Sequence, residues 1–227
     1  MPIVLSILIN PSRSFMRLRE HPRWLGTFLF LTTLSVAVLI IVHSHTVRAT
    51  LEHLPTSATT GDRAMVETML WGELPSRSLF QPIRLIIGWS GFAGVLFLLS
   101  KAFRPPLPVS FPLIFALEVH AETILLLSDI GLCLHIVLQG PGLPSVYPLW
   151  SADYFASPAT LPMIHSLLRS INIFTLWYAA ILAAGIRVLC GLSIFKSVLV
   201  AASAFALSVL FDFGILSLLI SAVHLQV

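Results

Sequence analysis

Three carboxyl side chains recur along one apolar stretch: Glu118, Glu122 and Asp129. On a helix turning about 100° per residue, Glu122 falls about 40° and Asp129 about 20° from Glu118, so all three share a narrow stripe. Acids on one face of an apolar helix suit one of two tasks: a relay for protons or cations, or paired charges that fix helix packing. The second is the simpler reading. Candidate partners follow from depth. Arg187 lies near the end of a later apolar stretch, within reach of Glu118, and Asp212 lies at a depth similar to that of Asp129. Two polar clusters are expected, an inner one with Glu118 and Arg187 and an outer one with Asp129 and Asp212, the latter joined by Arg84 or a histidine. At least one acid of the stripe is expected to be protonated or paired near neutral pH, because burial and like charge both disfavour ionisation.

Other chemistry is thinly represented. Glu118, His120 and Glu122 spell Glu-x-His-x-Glu, but on a helix His120 points about 160° from the acids, so the three do not converge on a metal. His43, His45 and His224 read as polar termini of apolar stretches. There is no Gly-x-Ser-x-Gly, phosphate-cradling glycine loop or Cys-x-x-Cys. Cys133 and Cys190 lie in different stretches and read as small core residues. No catalytic residue, metal ligand or cofactor site is expected, and no nucleic-acid partner; the chain is not expected to be an enzyme.

The elements that position these groups are membrane helices. Hydrophobic residues make up 57% of the chain and charged residues 10%, where a soluble domain carries about a quarter charged. Five stretches are long enough to cross about 30 Å of hydrocarbon: about 24–43, 82–100, 111–137, 171–189 and 197–223. Each must be helical, since lipid cannot satisfy an open backbone. The predicted fold class is all-α, an integral membrane bundle of five transmembrane helices with short interfacial helices, in one membrane domain spanning 1–227. Pro105, Pro106 and Pro108 stop the second span, and Pro112 suits the first turn of the third. Gly88, Gly91 and Gly94 are spaced for close helix contact, and for self-association through the second span.

Orientation follows from the basic residues. With the N-terminus in the cytosol, Arg13, Arg17, Arg19, Arg23, Lys101, Arg104, Arg187 and Lys196 share the cytosolic side, against Arg48, Arg63, Arg77, Arg84 and Arg169 outside. The C-terminus is then outside. Residues 1–23 read as a cytosolic interfacial segment without a cleavable signal peptide. Asn10 and Pro11 open a short helix there, and Pro22 closes it. Arg13, Arg17, Arg19, Arg23 and Trp24 are the expected anchors to an anionic leaflet. Outside, Gly61–Gly72 reads as a short amphipathic surface helix, and 140–169, rich in proline and aromatics, as a loop hugging the interface.

Two sets of residues carry a family likeness. Asn10-Pro11-Ser12-Arg13-Ser14-Phe15, then His21-Pro22-Arg23-Trp24 leading directly into a span, resembles the opening of bacterial Yip1-domain membrane proteins. Phe174-Thr175-Leu176-Trp177, then Gly185-Ile186-Arg187-Val188-Leu189-Cys190-Gly191-Leu192-Ser193 and Lys196, resembles that family's fourth span, basic turn and fifth-span entry. Where the family pattern suggests an acid before the Phe and Trp, this chain has Asn172. The resemblance implies a compact five-helix bundle in a bacterial inner membrane with a cytosolic N-terminus. Eukaryotic relatives serve vesicle traffic and bind Rab GTPases through a cytosolic N-terminal part; residues 1–23 are expected to be too short for that role.

The resulting expectation is a non-enzymatic multi-pass protein that organises a membrane complex or local bilayer, with membrane lipids, other membrane proteins or further copies of itself as partners. Two alternatives remain: a channel or transporter-like protein using the acidic stripe, and a lipid-binding membrane protein.

Overall fold

The computed structural model describes residues 6, 7, 9–55, 59–139, 151, 152 and 162–224, with residues 162, 163, 165, 166 and 212–224 described by their backbone alone. Helix α1 (Pro11–Glu20) starts where the sequence places it. The Asn10 Oδ1 accepts from the Arg13 N–H at 3.3 Å, and Pro11 occupies the first turn. The two faces of α1 separate cleanly. Phe15 and Leu18 are wholly buried, while Arg13, Arg17 and Arg19 are exposed. The apolar face is therefore used on the protein itself, not on the leaflet as expected. Trp24 differs likewise. It is half-buried, edge-on to Phe28 at 5.9 Å and to Phe115 at 5.0 Å, which makes it a packing residue more than an interface anchor.

Helices α2 (Leu25–Glu52) and α3 (Thr60–Ala102) both overrun the expected spans. At 1.5 Å per residue they measure about 42 and about 64 Å, well beyond the hydrocarbon thickness. The segment Gly61–Gly72 is not a separate surface helix. It is the first part of α3, which continues through Pro75 and Pro82. Each proline leaves one carbonyl without its helical donor. The start of α3 is fixed by a reciprocal cap: the Asp62 N–H donates to the Thr59 hydroxyl at 3.2 Å, and the Thr59 N–H donates to the Asp62 carboxylate at 2.8 Å. Beyond the expected membrane boundary α2 and α3 stay paired. His43 Nε2 donates to the Leu70 carbonyl at 3.0 Å and its ring meets Trp71 at 5.6 Å; His43 is thus a bridging side chain and not an idle terminus. Deeper, Gln81 donates to the Ser35 hydroxyl at 2.9 Å.

The third apolar stretch forms α4 (Phe111–Ala121) and α5 (Thr123–Gln139), separated by a single turn residue, Glu122. The helical path continues through it, because the Glu122 N–H donates to the Glu118 carbonyl and the Leu126 N–H to the Glu122 carbonyl, each at 3.0 Å. Every residue from Leu113 to Ala121 is buried. Helix α4 is thus the axis of the bundle, sheathed on all sides, which is the setting an all-round apolar helix requires.

After α6 (Pro162–Ser170), Asn172 opens α7 (Ile173–Cys190), and a left-handed Gly191 at φ 68° closes it before α8 (Ile194–His224). The expected interfacial loop falls mainly on residues outside those described; within it, Ala152 N–H donates to the Ile171 carbonyl at 2.8 Å. The core sits where α4 meets α3, α7, α1 and α2, with Ile114, Leu117, Leu182, Ile186 and Leu189 all at 0% exposure. Five of these helical paths are long and apolar enough to cross a membrane.

Candidate intramembrane polar site

Glu118 lies in the centre of this core, 1% exposed. Its Oε1 accepts from the Tyr178 hydroxyl of α7 at 2.6 Å, while Oε2 has no hydrogen-bond partner among the described residues. The partner predicted from depth is not the one found. Arg187 is exposed, on α7 beside α1 and α8, and makes no ion pair with Glu118. The reason is rotational. Arg187 is nine residues beyond Tyr178, about 180° around the helix, so it faces away when Tyr178 faces α4. The cost of placing a carboxyl at this depth is therefore met by a neutral phenol, not by a cation. Matching an acid to a basic partner by depth does not point to Tyr178, because a phenol carries no charge.

The rest of the stripe divides. Glu122 is half-buried and Asp129 is exposed, so the three acids do not form one tucked edge. Both line a small cavity of about 40 Å³, together with Ser35 of α2 and Trp89 of α3. A space of that size exceeds the roughly 10–15 Å³ that one water requires. The physical cause of the split is the change of environment at Glu122. Helix α4 is enclosed on every side, whereas α5 continues with part of its circumference uncovered. The proposed partner of Asp129 lies outside the described side chains, since α8 is given at Asp212 by its backbone alone.

His120 occupies the opposite side of α4, as the helical angle predicts. It is fully buried, with Nδ1 2.7 Å from the Ala116 carbonyl and Nε2 3.0 Å from the Thr27 hydroxyl of α2. A carbonyl only accepts, so Nδ1 carries the hydrogen; in the neutral ring Nε2 then accepts from Thr27. His120 and Glu118 thus fasten the axial helix on two sides, to α2 and to α7. Among the described residues no group of three His, Cys, Asp or Glu side chains is placed to hold a metal ion.

The glycines also reassort. A Cβ built on Gly88, Gly91 or Gly94 meets nothing within 4 Å, so these residues mark no helix crossing within the chain. The close crossing is at Gly185 of α7, where a Cβ would collide with the buried Leu117 side chain of α4. Asn172 has a local task. Its Oδ1 accepts from the N–H groups of Phe174 and Thr175 at 2.9 and 3.0 Å, and its own N–H donates to the Thr175 hydroxyl at 2.9 Å. An amide serves this cap as a carboxylate would.

An all-helical bundle with five membrane-length apolar helices, held by buried polar links around one axial helix, is a multi-pass membrane protein. The Yip1 domain matches residues 5–216, most of the chain, and the chain belongs to that family. Comparison with curated proteins and with solved structures gave no match.

Proposed function

We propose that this chain works without catalysis, organising a membrane complex or its local bilayer, in a bacterial inner membrane with α1 on the cytosolic side. One observation carries the reading. Glu118, the acid placed deepest, is bonded to Tyr178 inside a closed core, the geometry of a fastening between helices. The outer faces support the same role. Ile87 and Leu98 of α3 and Phe195 and Leu210 of α8 are each more than half exposed, offering apolar surface to lipid or to other membrane helices. Gly88 and Gly91 lie open on α3, where a second helix could approach closely. The eight basic residues sharing the α1 end support the orientation.

The cavity at Glu122 and Asp129 favours one competing reading, transport along the acids. Reconstitution separates the two. Purified chain in liposomes under an imposed proton or potassium gradient is expected to pass no more flux than protein-free vesicles, while Gly91→Cys captures a neighbouring membrane helix by crosslinking. Gradient-driven flux that disappears in Glu122→Gln would replace the organising role with transport.

A further inference from the structure

A second cavity, about 560 Å³, opens at the lateral surface between α1, α7 and α8. Its volume falls in the range of small-molecule sites, roughly 300–1,000 Å³. The wall on α7 is formed by Ala180, Ala183 and Ala184, and the wall on α8 by Ile194 and Val198. At one end stands Arg187, exposed and without an ion pair or hydrogen bond among the described residues; Ser12 of α1 lines the same cavity. Ala180 is seven residues from Arg187, so the apolar part extends about 10 Å along the helix away from the charge.

That charge lies at the basic end of the bundle. Gly191, closing α7, touches Leu107 and Pro106 of the connection before α4, and α1 packs on α7. The segments gathered there carry eight lysines and arginines against one acid, Glu20. The groove thus has a cation where helices leave the hydrocarbon and an uncharged trough leading inward.

We infer that this groove binds one anionic glycerophospholipid, with the phosphate held by Arg187 and Ser12 and an acyl chain along the alanines of α7. Charge complementarity selects the lipid: a zwitterionic headgroup gains less from an uncompensated basic end, and free phosphate gains nothing from the trough. The site is independent of the organising role and of the acids around Glu118.

Native mass spectrometry of the full chain in detergent, titrated with an equimolar mixture of phosphatidylglycerol and phosphatidylcholine of identical acyl chains, tests this. The wild type is expected to retain one phosphatidylglycerol in preference to phosphatidylcholine. Arg187→Gln is expected to weaken phosphatidylglycerol retention about fivefold, the effect of one basic residue at an anionic surface, with an unchanged melting temperature. Ala184→Leu, which fills the trough, is expected to reduce retention of both lipids. Arg84→Gln, at the opposite end, is expected to leave the preference intact, and millimolar inorganic phosphate to displace nothing. Equal retention of the two lipids by the wild type, or an undiminished preference in Arg187→Gln, overturns the site. So does an equal loss in Arg84→Gln, displacement by inorganic phosphate, or a chain dimer that Ala184→Leu dissociates without changing the lipid adducts.

Discussion

The Tyr178 hydroxyl of α7 donates to Glu118 Oε1 of α4 at 2.6 Å, with the two side chains 4% and 1% exposed. The bond joins residues sixty positions apart and fixes the azimuth of both helices. An acid on the axial helix thereby acquires a partner that carries no charge. A buried polar group costs most when its partner is removed and it stays behind.

Tyr178→Phe removes the donor and strands the carboxyl. Thermal unfolding in detergent is expected to show a loss of about 1–3 kcal/mol. Glu118→Gln, whose amide oxygen still accepts from the phenol, is expected to lose less. Identical melting of Tyr178→Phe and wild type would show that the bond fastens nothing.

Gly185 and Gly91 make a matched pair. Gly185→Ala drives a methyl into Leu117, and overpacking of this kind costs about 1–3 kcal/mol. Adding Leu117→Ala to it is expected to relieve the clash at the expense of a cavity, so the two changes should be non-additive. Gly91→Ala points into open space and is expected to be neutral or slightly stabilising as a better helix former. A double-mutant cycle on melting curves reads all three; additive losses at 185 and 117 would argue against the contact.

Asn172 can be tested by its cap. Asn172→Ala is expected to cost about 1 kcal/mol, and Asn172→Asp to retain most of the stability, because either residue accepts from the first N–H groups of α7. If Asp proves as costly as Ala, the side chain has a role beyond capping.

Helix α1 discriminates between docking on the bundle and lying on the leaflet. Phe15→Ala empties a wholly buried site and is expected to cost about 3 kcal/mol even in detergent, where no leaflet exists. Arg17→Gln, on the exposed face, is expected to change stability by less than about 0.5 kcal/mol. A Phe15→Ala protein that melts like the wild type in detergent would return α1 to the membrane surface.

Much of the fold is legible along the chain. Long apolar stretches dictate helices because the backbone has no other partner in lipid. The stops at Pro22 and Pro105, and the start at Asn10, follow from local sterics and capping. The start of α3 is equally local: Thr59-x-x-Asp62 is a capping box. Its continuation through Gly72, Pro75 and Pro82 is not, because that rests on packing against α2. Depth within the membrane can be counted from sequence, and it correctly placed Glu118 as a residue needing a partner. Azimuth relative to a neighbouring helix cannot be counted, so depth alone points to Arg187 where the partner is Tyr178. The same gap explains the glycines. Spacing announced Gly88, Gly91 and Gly94, while the crossing uses Gly185, whose neighbour Leu117 is remote in the chain.

The sequence by itself determined that this protein lives in a membrane, how many helices cross it, and which residues are expensive to place there. Those properties depend on composition and one-dimensional length, which the solvent reads directly. Only the tertiary structure decided that α4 is the axis, that Glu118 is answered by Tyr178 and His120 by Thr27, and that Arg187 faces a groove instead of an acid. Each of these depends on how helices are rotated against one another, and that rotation is set by the packing of side chains far apart in the chain.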